Sequence, residues 1–460
     1  MKATTFLILA ALAITVPCGH GAIAVSGRPV PTMTAFDNIM TSYMQTSGIS
    51  AGVLGVMRDG RTVYLRGFGN LPTAEALPEN ATFRIASLSK PVTAAAIRIL
   101  AGDGVFGANG IDRKAFNLTV NGTNNGGLLN ITPWQSLGDT NMARITIRHL
   151  LDHRSGFDAP DAIFRDGSRQ MATQMGLNAS PSRADRIRWM LHQPLSVAPD
   201  TEFRYSNFGF MVLGHIVDLY GGGYLNFIRS RVLTSNLWVP AADINHGKTL
   251  VADRLPREPA YSNGGTGQSV FDYSPPIDIL STSYGGEFDM EALLGAGSIV
   301  ASAQTMLTFG NGWHIWYPNA GVPVTSAFSW DGYIHDGGLA GLSTRLQARG
   351  DGVVIYLAFN KDNSVAPPFD SISALIDSGN GFTWPSTTSD GAWVSLPESN
   401  PAAGYGGYHS LWQGFGSSLT KAENGTRLRL KPGSSTWTGR ITKRLRLDAP
   451  EGTARLGVQP

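Results

Sequence analysis

Phe83-Arg84-Ile85-Ala86-Ser87-Leu88-Ser89-Lys90-Pro91-Val92 is the stretch on which the reading of this chain turns. Pro91 and the alanine-rich run from Val92 to Leu100 predict a helix that begins at or just after Ser87, with proline in the first turn, where its missing N–H costs little. At helical i, i+3 spacing the Ser87 hydroxyl and the Lys90 amine share one face, so the amine can take up the hydroxyl proton. On a strand the same spacing would turn them to opposite faces. The helix start adds backbone N–H groups and a dipole that favour an oxyanion developing beside the serine. Ser-x-x-Lys alone is not informative, and it recurs at Ser418 to Lys421. That copy lies among Gly414, Gly416 and a predicted strand, so the first copy is preferred.

Two further short motifs follow in order, Tyr205-Ser206-Asn207 and His335-Asp336-Gly337. Tyr-x-Asn recurs at Tyr224, Tyr261 and Tyr317. Tyr205 directly precedes an amphipathic run, with Phe210, Leu213 and Val217 at helical spacing and Gly221-Gly222-Gly223 ending it. Tyr224 follows three glycines, Tyr261 precedes two, and Tyr317 is followed by proline, so only the first copy has a rigid support. His335-Asp336-Gly337 is the sole His-x-Gly in the chain, and its glycine permits close approach of another backbone or a ligand.

Working outward, a helix is predicted over Thr34 to Met44, followed by a hairpin of Ala51 to Met57 and Arg61 to Phe68. A second hairpin, Leu342 to Ala348 and Val353 to Asn360, precedes a helix from Phe369 to Asp377. Between them lie mostly helix candidates, among them Val92 to Ala101, Ile147 to His153, Ser182 to Leu191 and Phe208 to Tyr220. An antiparallel sheet built from both ends of the domain, with a long helical insertion, is the simplest assembly. The composition changes near Gly379, and Arg427-Leu428-Arg429-Leu430 and Arg444-Leu445-Arg446-Leu447 then alternate like half-buried strands. From Lys421 onward nine Lys/Arg stand against three Asp/Glu, either a basic surface for a polyanion or the solvated face of two strands.

Taken together, the chain resembles the serine β-lactamase and penicillin-binding superfamily, in the branch of class C β-lactamases, D-alanyl-D-alanine carboxypeptidases and related esterases. The likeness covers roughly residues 35 to 376. Besides the three motifs it includes Phe83 to Ala86, Ile145 to His153 with Ser155-Gly156, Leu213-Gly214, and Gly295-Ala296-Gly297. It implies an α+β fold of the β-lactamase/transpeptidase type and an acyl-enzyme serine. It also implies a base role shared by lysine and tyrosine, an asparagine that binds the substrate amide, and a third motif on a strand edging the site. By motif position these are Ser87, Lys90, Tyr205, Asn207 and His335, with the backbone N–H groups of Ser87 and Gly338 as oxyanion hole. No metal or cofactor is implied.

The sequence also departs from these relatives. Class C β-lactamases carry lysine at the third motif, where this chain has His335, and the carboxypeptidase branch follows its histidine with threonine, where this chain has Asp336. A carboxylate there disfavours a substrate carboxylate, unless strand alternation turns it to the other face. The expectation is a serine hydrolase acting on small esters, amides or peptides. A D-alanyl-D-alanine carboxypeptidase or class C-like β-lactamase is the alternative, and a non-catalytic wall-peptide or β-lactam binder is the rival from another class.

Competing motifs fare worse. Gly48-Ile49-Ser50-Ala51-Gly52 has the nucleophile-elbow spacing but follows a helix and enters a strand, the reverse of what an elbow needs. His149 and His153 lack a third zinc ligand at a recognisable spacing, and Lys248-Thr249-Leu250 lacks the glycine of a Lys-Thr-Gly motif.

Composition narrows the remainder. The 460 residues carry 36 Lys+Arg and 34 Asp+Glu, a net charge of +2, which argues against a globally basic nucleic-acid binder. With 42% hydrophobic residues and 10 Trp the chain can bury a large core. The lone Cys18 excludes a disulfide scaffold or thiolate metal cluster. Lys2, the apolar run Thr5 to Val16 and Ala22-Ile23-Ala24 read as an export signal over residues 1–24, so a secreted or periplasmic location and loss of Cys18 are expected. No other window is long enough to span a bilayer. The resulting division is a signal over 1–24, a hydrolase domain over 33–378 and a β-rich basic extension over 379–460.

Overall fold

The structure is a computed structural model, and it describes residues 22–58, 60–158, 161–233, 243–261, 266–271, 278–280, 286–324, 332–385, 392–396, 412–422, 424–449 and 452–458. The signal read at the start, with Cys18, lies outside the described residues up to residue 21. Among the described residues no helix is long and apolar enough to cross a membrane.

Strands β1 (Val25–Ser26), β2 (Ala51–Arg58) and β3 (Arg61–Gly69) come from the start of the chain. The insertion contributes β4 (Thr82–Arg84), β5 (Ile244–His246) and β6 (Ile299–Ser302). Strands β7 (Ile334–Leu339), β8 (Leu342–Ala348) and β9 (Val353–Phe359) come last in the domain. Six of these form one antiparallel sheet in the order β1-β3-β2-β9-β8-β7, so the two hairpins meet at β2 and β9, with Leu54 opposite Leu357 and Gly52 opposite Phe359. The sheet is thus built from both ends of the domain, as the hairpin signals predict, and β7 is its edge.

Side-chain alternation explains why both central strands read as continuous apolar runs. Leu54, Val56, Ile355 and Leu357 face a cluster with α1 (Thr34–Ser47) and the late helix Ala366–Ser378, through Phe36, Met40, Phe369 and Ile372. Val53, Met57, Val354 and Tyr356 face the other way, into the main core. Strands with both faces covered have no polar face. The main core also takes in α2 (Ser89–Gly102), α3 (Ile147–Leu151), α4 (Asp166–Met175), α5 (Arg183–Met190), α6 (Asn207–Tyr220), α7 (Tyr224–Phe227) and α8 (Ala303–Gly312). The late helix Ala366–Ser378 is α9.

Beyond Gly379, Phe382 still packs edge-on against Phe36 at 5.4 Å, and Arg58 lies 4.8 Å over the Trp384 ring. A separate small core begins at Ala392, with Val394, Leu396, Phe415, Leu428 and Leu430. Its sheet consists of parallel strands Ala392–Ser395, Trp412–Gln413, Arg427–Leu430 and Arg446–Asp448. The first alternating run is a strand as expected. The second is displaced: Leu445 packs on the core while Leu447 is exposed, because this strand lies at the edge of the sheet and has little to cover it. Arg427 pairs with Asp448, and Lys443 Nζ donates to the carbonyls of Leu419, Thr420 and Ala422, so part of the basic excess is committed internally.

The surroundings of the second Ser-x-x-Lys also differ from expectation. Gly414, Gly416 and a nearby strand weigh against a helix at this copy in the sequence, yet Phe415–Lys421 forms helix α10. Phe415 and Leu419, one turn apart, both pack on the small core, and that packing outweighs the low helix propensity of Gly416.

Candidate active site

Strand β4 leads into one 3-10 turn, Ala86–Leu88, and then directly into α2, so Ser87 stands in the turn that opens the helix. Ala86 has φ +46°, a left-handed conformation that costs a non-glycine residue energy and that surrounding structure must hold. The chain is anchored two residues earlier, at Arg84. Its side chain is fully buried and pairs with Glu258 at 3.1 Å, while the Arg84 backbone N–H donates to Tyr261 Oη at 2.8 Å. Tyr261 in turn donates to Glu258 at 3.1 Å, so this Tyr-x-Asn copy supports the approach to the turn. The second serine of the motif, Ser89, is buried and accepts the Ile299 N–H, which ties α2 to β6.

Lys90, only 2% exposed, points its Nζ at Ser87 Oγ at 3.2 Å and at the Ala296 carbonyl at 2.8 Å. The Gly295-Ala296-Gly297 segment is placed for this by contact of backbone on backbone. Gly295 has φ +84°, and a Cβ there would stand 2.5 Å from the Phe210 carbonyl; a Cβ on Gly214 would stand 2.5 Å from the Leu294 carbonyl. Only glycines let α6 and this loop approach so closely.

Tyr205 Oη donates to Ser87 Oγ at 2.8 Å, and the Lys90 ammonium lies 4.7 Å from the Tyr205 ring centroid. The tyrosine precedes Ser206, which caps α6 by accepting the Gly209 N–H at 3.1 Å. His153 holds this segment on both sides of the tyrosine. Its carbonyl accepts the Arg204 N–H at 2.6 Å, its Nδ1 accepts the Ser206 N–H at 3.0 Å, and its ring stacks on Tyr205 at 4.5 Å. Burial, and then the Lys90 charge, push its pKa down to about 3, so the imidazole is neutral and Nδ1 keeps its lone pair for Ser206. His149 instead accepts the Thr146 N–H at the start of α3, so the two histidines do not converge. Among the described residues no group of three or more His, Cys, Asp and Glu could hold a metal.

Strand β7 closes the other side. A Cβ on Gly337 would stand 2.3 Å from the Ile85 carbonyl, so the glycine lets the strand press on the chain just before Ser87, whereas Gly338 faces open space. His335 is buried and lines the recess with Lys90, Tyr205, His153, Trp316 and Tyr317. Its Nδ1–H donates to the Asp336 carbonyl at 2.9 Å, which leaves Nε2 as the lone-pair nitrogen. Asp336 turns to the opposite face, where Arg345 clamps both its oxygens at 2.6 and 2.8 Å. Of the two placements the sequence leaves open for Asp336, strand alternation gives the one that faces away, so its carboxylate does not act against a substrate carboxylate at the site. Asn207, half-buried, is the first residue of α6.

A family model described as Beta-lactamase matches residues 36–419. The chain belongs to the Beta-lactamase family. Penicillin-binding protein 4* of Bacillus subtilis (strain 168) is 28% identical over 187 residues, 39% of this chain, and the chain spans 35% of that relative's length. A solved D-amino acid amidase from Ochrobactrum anthropi SV3, complexed with L-phenylalanine amide, matches with a TM-score of 0.50 at 16% identity, over 76% of this chain and 99% of the amidase. A penicillin binding protein from Bacillus halodurans matches with a TM-score of 0.46 at 16% identity, over 73% of this chain and 99% of that one. The fold is accordingly the α+β, β-lactamase/transpeptidase-like one that the motifs imply.

Within this family member the structure brings Lys90 and Tyr205 onto the Ser87 hydroxyl and places buried His335 in the lining of the recess that Lys90 and Tyr205 share. Sequence reasoning gives no role to Trp316, weighs His153 only as a zinc ligand or a landmark residue, and weighs Tyr317 only as a Tyr-x-Asn copy. His153 carried a signal, its place in the Ile145 to His153 landmark. Tyr317 was set aside for the proline after it, yet it lines the recess.

Burial, and then the Lys90 charge, push His335 down to about 4 from an ordinary value near 6.5. His153 and His335 are neutral in the folded chain near neutral pH, whereas in the unfolded chain they take up protons below about 6.5. Their contribution to stability is thus complete above that pH and is lost as pH falls from about 6.5 through about 4 for His335 and about 3 for His153. The urea midpoint should drop between pH 7 and pH 4.5, and less steeply in His335→Gln. Since His335 stays neutral across pH 6.5, kcat/KM should show no histidine limb there. A limb near 6.5 that vanishes in His335→Gln would contradict this assignment.

Proposed function

We propose that this chain is a serine hydrolase acting through an acyl-enzyme on Ser87, and that its substrates are small esters or amides without a carboxylate at the His335 end. The single observation that carries the reading is the convergence of Lys90 Nζ and Tyr205 Oη on one hydroxyl, at 3.2 and 2.8 Å. One of the two must first give up its own proton; the free base then takes the Ser87 proton as Oγ attacks the carbonyl carbon. The N–H groups of Ser87 and Gly338 would receive the oxyanion, and an N–H aimed at developing charge is worth about 3–4 kcal/mol in comparable sites. The proton then passes to the leaving oxygen or nitrogen, and water releases the acyl group by the reverse route.

Two facts support the substrate side. His335 is neutral, and Lys90, the only Lys or Arg among the described residues lining the recess, is already turned to Ser87 and Ala296. The likeness to the amidase carries the fold and not the substrate. The test is kcat/KM for a short-chain aryl ester against a chromogenic cephalosporin and a D-Ala-D-Ala peptide. The ester is expected to lead; a tenfold lead by either carboxylate-bearing substrate would favour the β-lactamase or carboxypeptidase alternative. Export is proposed from the sequence alone, and a mature N-terminus near Val25 is its check.

A further inference from the structure

Beside Ser87, the two residues that bond its hydroxyl, Lys90 and Tyr205, line a recess of about 20 Å³ with His153, Trp316, Tyr317 and His335, room for about one water, so a substrate on Ser87 lies outside it and meets its rim. On the Tyr205 side that rim is made of rings. Phe203 and Tyr317 stack at 4.8 Å with planes 15° apart, and His153 stands edge-on to them at 5.4 and 6.3 Å while stacking on Tyr205. Trp316 continues the row, 5.2 Å from Tyr317 and edge-on to His335 at 4.8 Å. Phe203 is 42% exposed, a large apolar face left open to solvent. The loop carrying Trp316 and Tyr317 is fixed to the helix that follows Ser87. Arg98 on α2 donates to the Ala320 carbonyl at 2.8 Å and to the Pro318 carbonyl at 2.7 Å.

The side of the substrate that meets this wall follows from proton transfer. The leaving atom must receive a proton from Tyr205 or Lys90. Lys90 is 2% exposed and Tyr205 is 42% exposed, so the leaving atom reaches the phenol, beside the rings. We propose that Phe203, Tyr317 and Trp316 form a leaving-group subsite, selecting esters or amides whose departing alcohol or amine carries an aromatic or flat apolar ring. This rests on the reading of Ser87 as nucleophile. In the step concerned the Ser87 Oγ–carbon bond forms and the carbon–leaving-atom bond breaks. The serine proton travels through the Lys90–Tyr205 pair to the departing oxygen or nitrogen, and water then takes the acyl group as the acid.

Benzyl acetate and methyl acetate test the subsite, because both leave the same acetyl-enzyme and share every step after acylation. The quantity read is the ratio of their kcat/KM values, compared between wild type and variants so that intrinsic leaving-group reactivity cancels. Phe203→Ala with Tyr317→Ala should lower the benzyl-to-methyl ratio roughly tenfold, and Tyr317→Phe should keep it within about twofold. Phe203→Ala alone, on the open rim, keeps the test available if the double variant does not fold, with a fall of about threefold expected. An unchanged ratio while acetyl-Ser87 still forms overturns the subsite and leaves the nucleophile standing. No acetyl-enzyme at Ser87 from either ester removes the nucleophile reading and the subsite with it.

Discussion

Ser87→Ala should abolish labelling by a fluorophosphonate probe and lower turnover of the best ester roughly 10⁴-fold or more, the scale seen when a nucleophile is deleted from a site that otherwise stays intact. The expectation follows from geometry. Ser87 Oγ has both Lys90 Nζ and Tyr205 Oη within hydrogen-bond distance, and the chain leading into its helix-opening turn is anchored by the Arg84–Glu258 pair and Tyr261. Ser418→Ala is the matched control. Ser418 also stands three residues before a lysine on a helix, but its hydroxyl is fully buried and donates to the Gly414 carbonyl at 2.6 Å. Its loss should cost about 1 kcal/mol of stability, the net worth of one hydrogen bond, and no labelling. Wild-type probe stoichiometry in Ser87→Ala would dismiss the nucleophile assignment.

Tyr205→Phe should lower kcat roughly 10²–10⁴-fold, the usual range for a lost general acid–base group, with little change in unfolding. The ring keeps its stack on His153, and only the hydroxyl that meets Ser87 is removed. Tyr261→Phe is not a neutral control, because that hydroxyl bonds both the Arg84 N–H and Glu258 just upstream of Ser87. Tyr43→Phe serves instead, since Tyr43 lies on α1 in the cluster on the other face of the sheet. If Tyr205→Phe retains kcat within threefold, Lys90 acts alone and the shared proton route fails.

Which parts of this were legible in the chain depends on the range of the interactions involved. Local signals were enough for the helix after Ser87, the two hairpins and the helix after Tyr205, because spacing, turn residues and caps act over a few neighbouring positions. Motif order was enough to nominate Ser87, Lys90 and Tyr205. The sequence could not exclude a helix at Ser418 to Lys421, since Phe415 and Leu419 find their partners only in the folded small core. Nor could it show that Asp336 faces Arg345 and away from the site, which the pairing of β7 with β8 decides. The neutrality of His153 and His335 comes from burial, which no local pattern encodes. The ring wall joins Phe203 to Trp316 and Tyr317, more than a hundred residues away, so it exists only once the chain has closed. Sequence determines what each short segment tends to be and which chemistry it carries; the tertiary structure decides which side chains meet, because burial, register and contact are properties of segments brought together from afar.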